Sequence, residues 1–144
     1  MKTSPIVKEI IVNASPSVVW KAITNYEDML VWYFDLPGFT PEVGYEFSFF
    51  AETADATKYL HLCVIQEVEV NKKLSYTWKY DGYEGNSLVV FELVPDGPTT
   101  LVRLTHSGLE TFPEDNKDLR KENFNGGWEA IIRESLKHYV ETRN

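Results

Sequence analysis

The stretch from Trp128 to Val140 constrains the fold of this chain more than any other part of it. Trp128, Ile131, Ile132, Leu136, Tyr139 and Val140 stand at offsets of 0, 3, 4, 8, 11 and 12, which is one stripe of an α-helix. Asn125-Gly126-Gly127 leads straight into it, the helical pattern runs over 129–142, and almost everything earlier reads as strand. One amphipathic helix and one antiparallel sheet have few ways to bury each other's apolar faces, and a sheet curved around the helix satisfies both. A curved sheet meets a straight rod poorly at its ends, so a cavity between the two is the expectation.

The rest of the chain supplies that sheet. Ile6 to Asn13 is a β-branched run that stops at Ala14-Ser15-Pro16. Ser15 suits a helix N-cap and Pro16 a first turn, with Val18, Val19, Ala22 and Ile23 at helical spacing behind them. A second short helix is expected over roughly Glu27 to Tyr33. Strands follow at Tyr45 to Glu52, Lys58 to Val70, Leu74 to Tyr80, Ser87 to Val94 and Thr99 to Ser107, with a polar loop at Thr53 to Thr57. In the fourth of the six strands, Leu74, Tyr76, Trp78 and Tyr80 alternate with Ser75, Thr77 and Lys79, so Leu74, Tyr76 and Trp78 are expected to face the helix and Ser75, Thr77 and Lys79 to face solvent or the outer surface. Tight turns join consecutive strands and make the sheet antiparallel. The expected class is α+β, one domain over residues 1–144.

Net charge limits the partners. The chain carries −8 with a pI near 4.9, and no run rich in Lys and Arg. Nucleic acid is excluded because phosphate binding needs clustered cations, and an anionic membrane surface is excluded for the same reason. No apolar run approaches the length of a membrane span, and Met1-Lys2-Thr3-Ser4-Pro5 has no signal-peptide core behind it. Cys63 is the only cysteine, so it forms no intrachain disulfide and reads as a small buried hydrophobe. A cytoplasmic location follows as the expectation.

Several short motifs, taken in order, resemble one known family. They are Ala14-Ser15-Pro16-Ser17-Val18-Val19-Trp20-Lys21-Ala22-Ile23-Thr24, then Trp32-Tyr33-Phe34, Glu42-Val43-Gly44 and Leu74-Ser75-Tyr76-Thr77-Trp78. Phe91-Glu92-Leu93-Val94-Pro95, Thr100 to Gly108 and Gly127-Trp128 complete the set. The chain thereby resembles the homologues of the activator of the heat-shock-protein-90 ATPase, a branch of the START-like, Bet v 1-like superfamily. The resemblance implies a helix-grip fold: a single curved antiparallel sheet wrapped around a long C-terminal helix, with two short helices after the first strand. Two positions depart from the family pattern. Tyr45 stands where a second Gly is common, and Cys63 where a Gly is common; both add volume and narrow the interior.

Aromatic residues make up 14% of the chain, and their placement defines the candidate ligand site. Phe47, Phe49, His61, Tyr76, Trp78, Phe91, Trp128 and Ile132 converge on the inner face as either plain core or a pocket lining. Tyr and Trp bring polar tips that need partners when buried, which suits a cavity holding a polar ligand end. Gly126-Gly127 reads as a close approach of helix to sheet, as a hinge that opens a cavity, or as the place where the helix begins. His61 and His106 lie on strands and have the chemistry of a general base, though structural histidines are commoner. No metal-binding spacing and no nucleophile elbow accompanies them, so no cofactor, metal or catalytic residue is assigned. Glu27, Asp28, Asp35, Glu42, Glu46 and Glu52 form a solvated face or an electrostatic docking patch.

Three functions remain open at this point. The first is a non-catalytic domain that holds a small apolar or aromatic molecule between sheet and helix. The second, implied by the resemblance, is a cochaperone-like module acting on a chaperone-type protein partner, an ATPase of the heat-shock-protein-90 type. The third is an enzyme acting on an aromatic or polyketide-like substrate in the same cavity.

Overall fold

A computed structural model describes residues 4–52, 56–113 and 115–142. The first strand, β1 (Ile6–Val12), ends where Ser15 caps α1 (Pro16–Thr24) by accepting from the Val18 N–H at 3.3 Å. Asn25 then serves two helices. Its N–H reaches the Lys21 carbonyl, closing α1, and its side chain accepts from the Glu27 and Asp28 N–H groups, opening α2 (Tyr26–Trp32). One polar residue between the helices thus satisfies ends that would otherwise lack partners.

Five strands follow: β2 (Glu46–Glu52), β3 (Lys58–Glu69), β4 (Lys73–Tyr80), β5 (Ser87–Asp96) and β6 (Thr99–Ser107). The polar loop expected at Thr53 to Thr57 lies mostly outside the described residues. Asn71, at φ 64°, reverses the chain between β3 and β4, a conformation that Asn tolerates better than most residues. All pairings are antiparallel and the order is β1-β6-β5-β4-β3-β2. The long return from β1 to β2 through the two helices therefore leaves those strands at opposite edges of one curved sheet.

The closing helix is longer than its apolar stripe. It begins at Lys121, so the glycine pair sits inside its first segment, α3 (Lys121–Trp128). Nothing lies within 4 Å of a Cβ built on either glycine, which rules out a close approach to the sheet as their reason. Beyond Trp128 the helix widens to π geometry over Glu129–Leu136 before returning to α geometry in α4 (Lys137–Glu141). The buried column explains the widening. Trp128, Ile132, Leu136 and Val140 repeat every four residues, a spacing that drifts about 40° per step round an α-helix of 3.6 residues per turn. A wider turn with i→i+5 bonding offsets that drift and keeps the column facing the sheet.

Side chains tie this helix to the β1 edge. Lys8 Nζ meets Glu129 at 3.0 Å, and Lys137 Nζ donates to the Ile11 carbonyl at 2.9 Å. The Asn13 N–H donates to Glu141 at 2.8 Å. In the middle of the helix, Ser135 Oγ donates to the Trp32 carbonyl at 2.7 Å, fastening the π segment to α2.

The alternation of β4 holds, with one exception. Leu74, Tyr76, Trp78 and Tyr80 are buried and Lys79 is exposed, yet Ser75 is fully buried as well. The register between β3 and β4 shifts between Ile65 and Glu67. That irregularity brings Glu67 to 3.5 Å from Ser75 Oγ and 3.2 Å from Lys73 Nζ, covering the outer side of Ser75.

Candidate functional site

The inner face is a continuous field of rings. Phe34 stacks on Phe49 at 4.6 Å, and Phe49 stacks on His61 at 4.4 Å with 15° between planes. His61 presents its edge to Trp78 at 4.9 Å, and Trp78 lies 5.6 Å from Trp128 on the helix. Tyr76 joins Phe47 at 5.3 Å to Phe91 at 6.4 Å, and Phe91 meets Trp128 at 6.3 Å. Seven of the expected site residues therefore touch as one set. Ile132, one turn beyond Trp128, is fully buried beneath the same sheet.

Strand period 2 delivers these residues to one face: 47 and 49 on β2, 59, 61, 63 and 65 on β3, 76, 78 and 80 on β4. Cys63 follows that phase and is buried, its thiol pushed up well beyond the ordinary range by burial alone. Tyr45 instead packs beside Phe39 and Phe47 and donates from its hydroxyl to the Gly38 carbonyl at 2.8 Å. Of the two bulky departures from the family pattern, Cys63 is the one whose side chain is buried in the core.

Every buried side-chain N or O atom among the described residues has a hydrogen-bond partner. Trp78 Nε1–H donates to the Tyr80 hydroxyl at 2.8 Å, and the Tyr33 and Tyr76 hydroxyls meet at 2.8 Å. Burial pushes the Tyr33, Tyr76 and Tyr80 phenols far up, so all three are neutral donor–acceptor groups.

The histidines are built into the same network. The Trp128 indole N–H donates to His106 Nδ1 at 2.9 Å, which leaves the imidazole proton on Nε2. Nε2–H then donates to Ser87 Oγ at 2.8 Å, and Ser87 Oγ–H donates to the Trp78 carbonyl at 2.7 Å. Both ring nitrogens are committed, and burial lowers His106 to about 3. His61 reaches the Tyr59 carbonyl through Nδ1 at 3.1 Å; burial lowers it to about 4, against a smaller opposing pull from the Tyr59 and Phe49 backbone. Neither imidazole titrates near neutrality, so neither is poised as a general base.

Sequence reasoning left out several members of the set. Tyr80 shares the phase of Trp78, and His106 that of Val102 and Leu104, so both were readable from alternation. Ser87, Phe34, Phe112 and Phe124 join through tertiary contact, for which the sequence holds no local signal.

Three of the six early acidic residues have partners of their own. Asp28 accepts from the Tyr139 hydroxyl and Asp35 from the Tyr26 hydroxyl at 2.9 Å, while Glu52 pairs with Lys58. Among the described residues, no group of three or more His, Cys, Asp or Glu is placed to hold a metal ion. No helix among the described residues is long and apolar enough to cross a membrane.

Comparison with known proteins matches this arrangement to a family. The model for activator of Hsp90 ATPase homolog 1-like proteins matches residues 13–141. No curated protein matches the sequence significantly. Among solved structures, protein CV1439 from Chromobacterium violaceum superposes with a TM-score of 0.81 at 18% identity, over 96% of this chain and 97% of that one. The protein DynU16 of the dynemicin biosynthetic locus gives 0.76 at 18% identity, over 99% of this chain and 49% of that one. The Aha1 dimer from Colwellia psychrerythraea gives 0.70 at 22% identity, over 96% and 97%. These structures share the helix-grip fold, and the family match extends along nearly the whole sequence: the chain belongs to the activator of Hsp90 ATPase homolog 1-like family.

Proposed function

We propose that this chain is a binding domain for a small, uncharged aromatic molecule, held without turnover against Phe47, Phe49, His61, Tyr76, Trp78, Phe91, Trp128 and Ile132. The observation that carries the reading is the field of rings between sheet and closing helix, in which Phe49, His61, Trp78 and Trp128 follow one another at 4.4, 4.9 and 5.6 Å. The ring contacts of 4.4–6.5 Å are the distances at which an aromatic ligand would itself stack. Among the described residues, the polar tips of Tyr33 and Tyr76, and of Trp78 and Tyr80, pair with one another. They would re-pair with a ligand hydroxyl or carbonyl at little cost.

The test is a titration of flavonoids, fatty acids and polyketide-like aromatics, followed by tryptophan fluorescence and thermal unfolding. A true ligand at about 100 times its dissociation constant adds roughly 2.7 kcal/mol to stability. Silence across the aromatic members in both readouts rejects the reading.

A second reading rests on the outer surface. Phe50 is 66% exposed on the edge strand β2, flanked by Glu46 and Glu52, and an exposed apolar side chain within an acidic setting is a feature of protein docking sites. With the family assignment, this supports a cochaperone-like role on an ATPase of the heat-shock-protein-90 type. Stimulation of such an ATPase by the wild type but not by Phe50→Asp would support it, and an unchanged ATPase rate would remove it.

A further inference from the structure

The two edges of the sheet are built differently. At β1 the closing helix covers the edge: Lys137 Nζ donates to the Ile11 carbonyl, and the Asn13 N–H donates to Glu141. The opposite edge is β2 (Glu46–Glu52). A Lys or a Pro within the strand commonly blunts such an edge, and Glu-Phe-Ser-Phe-Phe-Ala-Glu contains neither. Its register with β3 runs without a shift from Glu46 to Glu52.

The phase of the β2–β3 ladder tells which backbone groups face outward. The Ile65 N–H donates to the Tyr45 carbonyl at 3.0 Å, and bonded pairs of an antiparallel ladder recur every two residues. Phe47, Phe49 and Ala51 therefore bond β3, opposite Cys63, His61 and Tyr59. Ser48 and Phe50 turn their N–H and C=O groups to the open side. Among the described residues, no hydrogen bond reaches those groups. The same two residues carry exposed side chains on the outer face of the sheet.

Charge decides what such an edge accepts. Paired in full register with β2 of a second copy, Glu46 would lie opposite Glu52 at both ends, and like charges directly opposed destabilise a strand pair. An incoming strand with cations at those two places meets opposite charge instead, and the net −8 of the chain adds to the attraction. Between the cations, a β-branched residue opposite Phe50 makes a favourable cross-strand pair. Ser48 is small, so an aromatic ring opposite it has room to lie along a cleft of about 320 Å³, which Ser48 shares with Leu62 and Val64 of β3 and Lys79 of β4.

We propose that β2 is a strand-addition site for an extended cationic peptide segment of a partner protein. The segment runs antiparallel to β2, as every pair in this sheet does, and exchanges backbone hydrogen bonds with Ser48 and Phe50. It places a cation opposite Glu52, a β-branched residue opposite Phe50, an aromatic ring opposite Ser48 and a cation opposite Glu46. This rests on the docking reading of Phe50 above, to which it adds an occupant and a backbone geometry.

The probe is the peptide Lys-Thr-Val-Thr-Phe-Thr-Lys, titrated with a rhodamine label by fluorescence anisotropy and without it by nitrogen-15 amide shifts. The wild type binds it, and the Ser48 and Phe50 amide signals move furthest. N-methylation of the Val and Phe amides removes the two donors aimed at β2 and weakens binding about tenfold or more. N-methylation of the first two Thr amides, which point away from β2, leaves the affinity within about twofold. Exchange of both Lys for Glu abolishes binding. No binding up to about 1 mM peptide, or equal losses from the two N-methylated sets, overturns strand addition. A free protein that is dimeric by sedimentation, and is made monomeric by Ser48→Pro, overturns it in favour of a second copy. If the peptide fails while ATPase stimulation is still lost in Phe50→Asp, strand addition has failed and the docking reading stands. Peptide binding without stimulation supports the strand site and removes the ATPase role.

Discussion

Trp128 and His106, 22 residues apart in sequence, share a hydrogen bond of 2.9 Å in which the indole N–H donates to Nδ1. Through Ser87 and the Trp78 carbonyl this bond continues across β5 to β4, so the closing helix is joined to three strands by a chain of fixed direction. Replacing Trp128 by Phe keeps a ring in place but strands Nδ1 without a donor. An unsatisfied buried acceptor costs about 1–3 kcal/mol, to which the lost indole volume adds. Urea unfolding of Trp128→Phe measures the sum, and a loss below about 0.5 kcal/mol would mean that the bond contributes nothing net.

Acid should unfold this protein earlier than its carboxylates alone would. Burial holds the folded-state values of His61 and His106 at about 4 and about 3, against 6.5 for a free imidazole. On acidification below pH 6.5 the unfolded chain binds two protons that the folded chain refuses. Stability is therefore complete above pH 6.5 and declines as pH falls toward 4, by about 1.4 kcal/mol per pH unit for each histidine. Unfolding free energies across pH 7 to 5 should show this slope, and His61→Phe should halve it. A flat profile over that window contradicts the two burial shifts.

Trp78 touches Phe49, His61, His106 and Trp128 and is the centre of the ring field. Trp78→Ala should cost about 3–5 kcal/mol, the range for emptying a large aromatic site. Denaturant midpoints at constant slope give the number. A much smaller loss, with altered ligand affinity, would show that the rings around it move to fill the gap.

Two glycine substitutions should act in opposite directions. Gly85 has φ 107°, and a Cβ there would stand 2.5 Å from the Thr111 carbonyl oxygen, so Gly85→Ala is destabilising by more than about 1 kcal/mol. Gly126→Ala meets no atom and should stabilise by about 0.4–1 kcal/mol. Thermal unfolding of the two variants should bracket the wild type.

The same glycines mark where the sequence stops being legible. Alternation in β4 and the stripe behind Trp128 give strand faces and the helix correctly, because each depends on a local period that survives folding. The start of the helix was left open because Lys121 to Asn125 offers one apolar residue, Phe124, and no stripe to follow. The π winding went unread because a spacing of four fits an α-helix well enough over one or two turns, and shows its drift only over three. Burial of Ser75 depends on an irregularity in a neighbouring strand. The site residues follow from strand phase, whereas the bond from Trp128 to His106 depends on how helix and sheet meet, which no local pattern carries.

The central claim is that an aromatic molecule is held between sheet and helix, and the indole N–H signals of the four tryptophans test it most directly. Trp78 and Trp128 face each other inside the grip, whereas the Trp32 indole donates to the Ala22 carbonyl at 2.7 Å and Trp20 lines a cleft with Tyr26 and Phe39. In a nitrogen-15 titration with an aromatic compound that raises the melting temperature, the Trp78 and Trp128 signals should shift furthest and saturate together, with Trp20 and Trp32 nearly still. Shifts confined to Trp20 and Trp32, with Trp78 and Trp128 unmoved at saturation, would contradict the account.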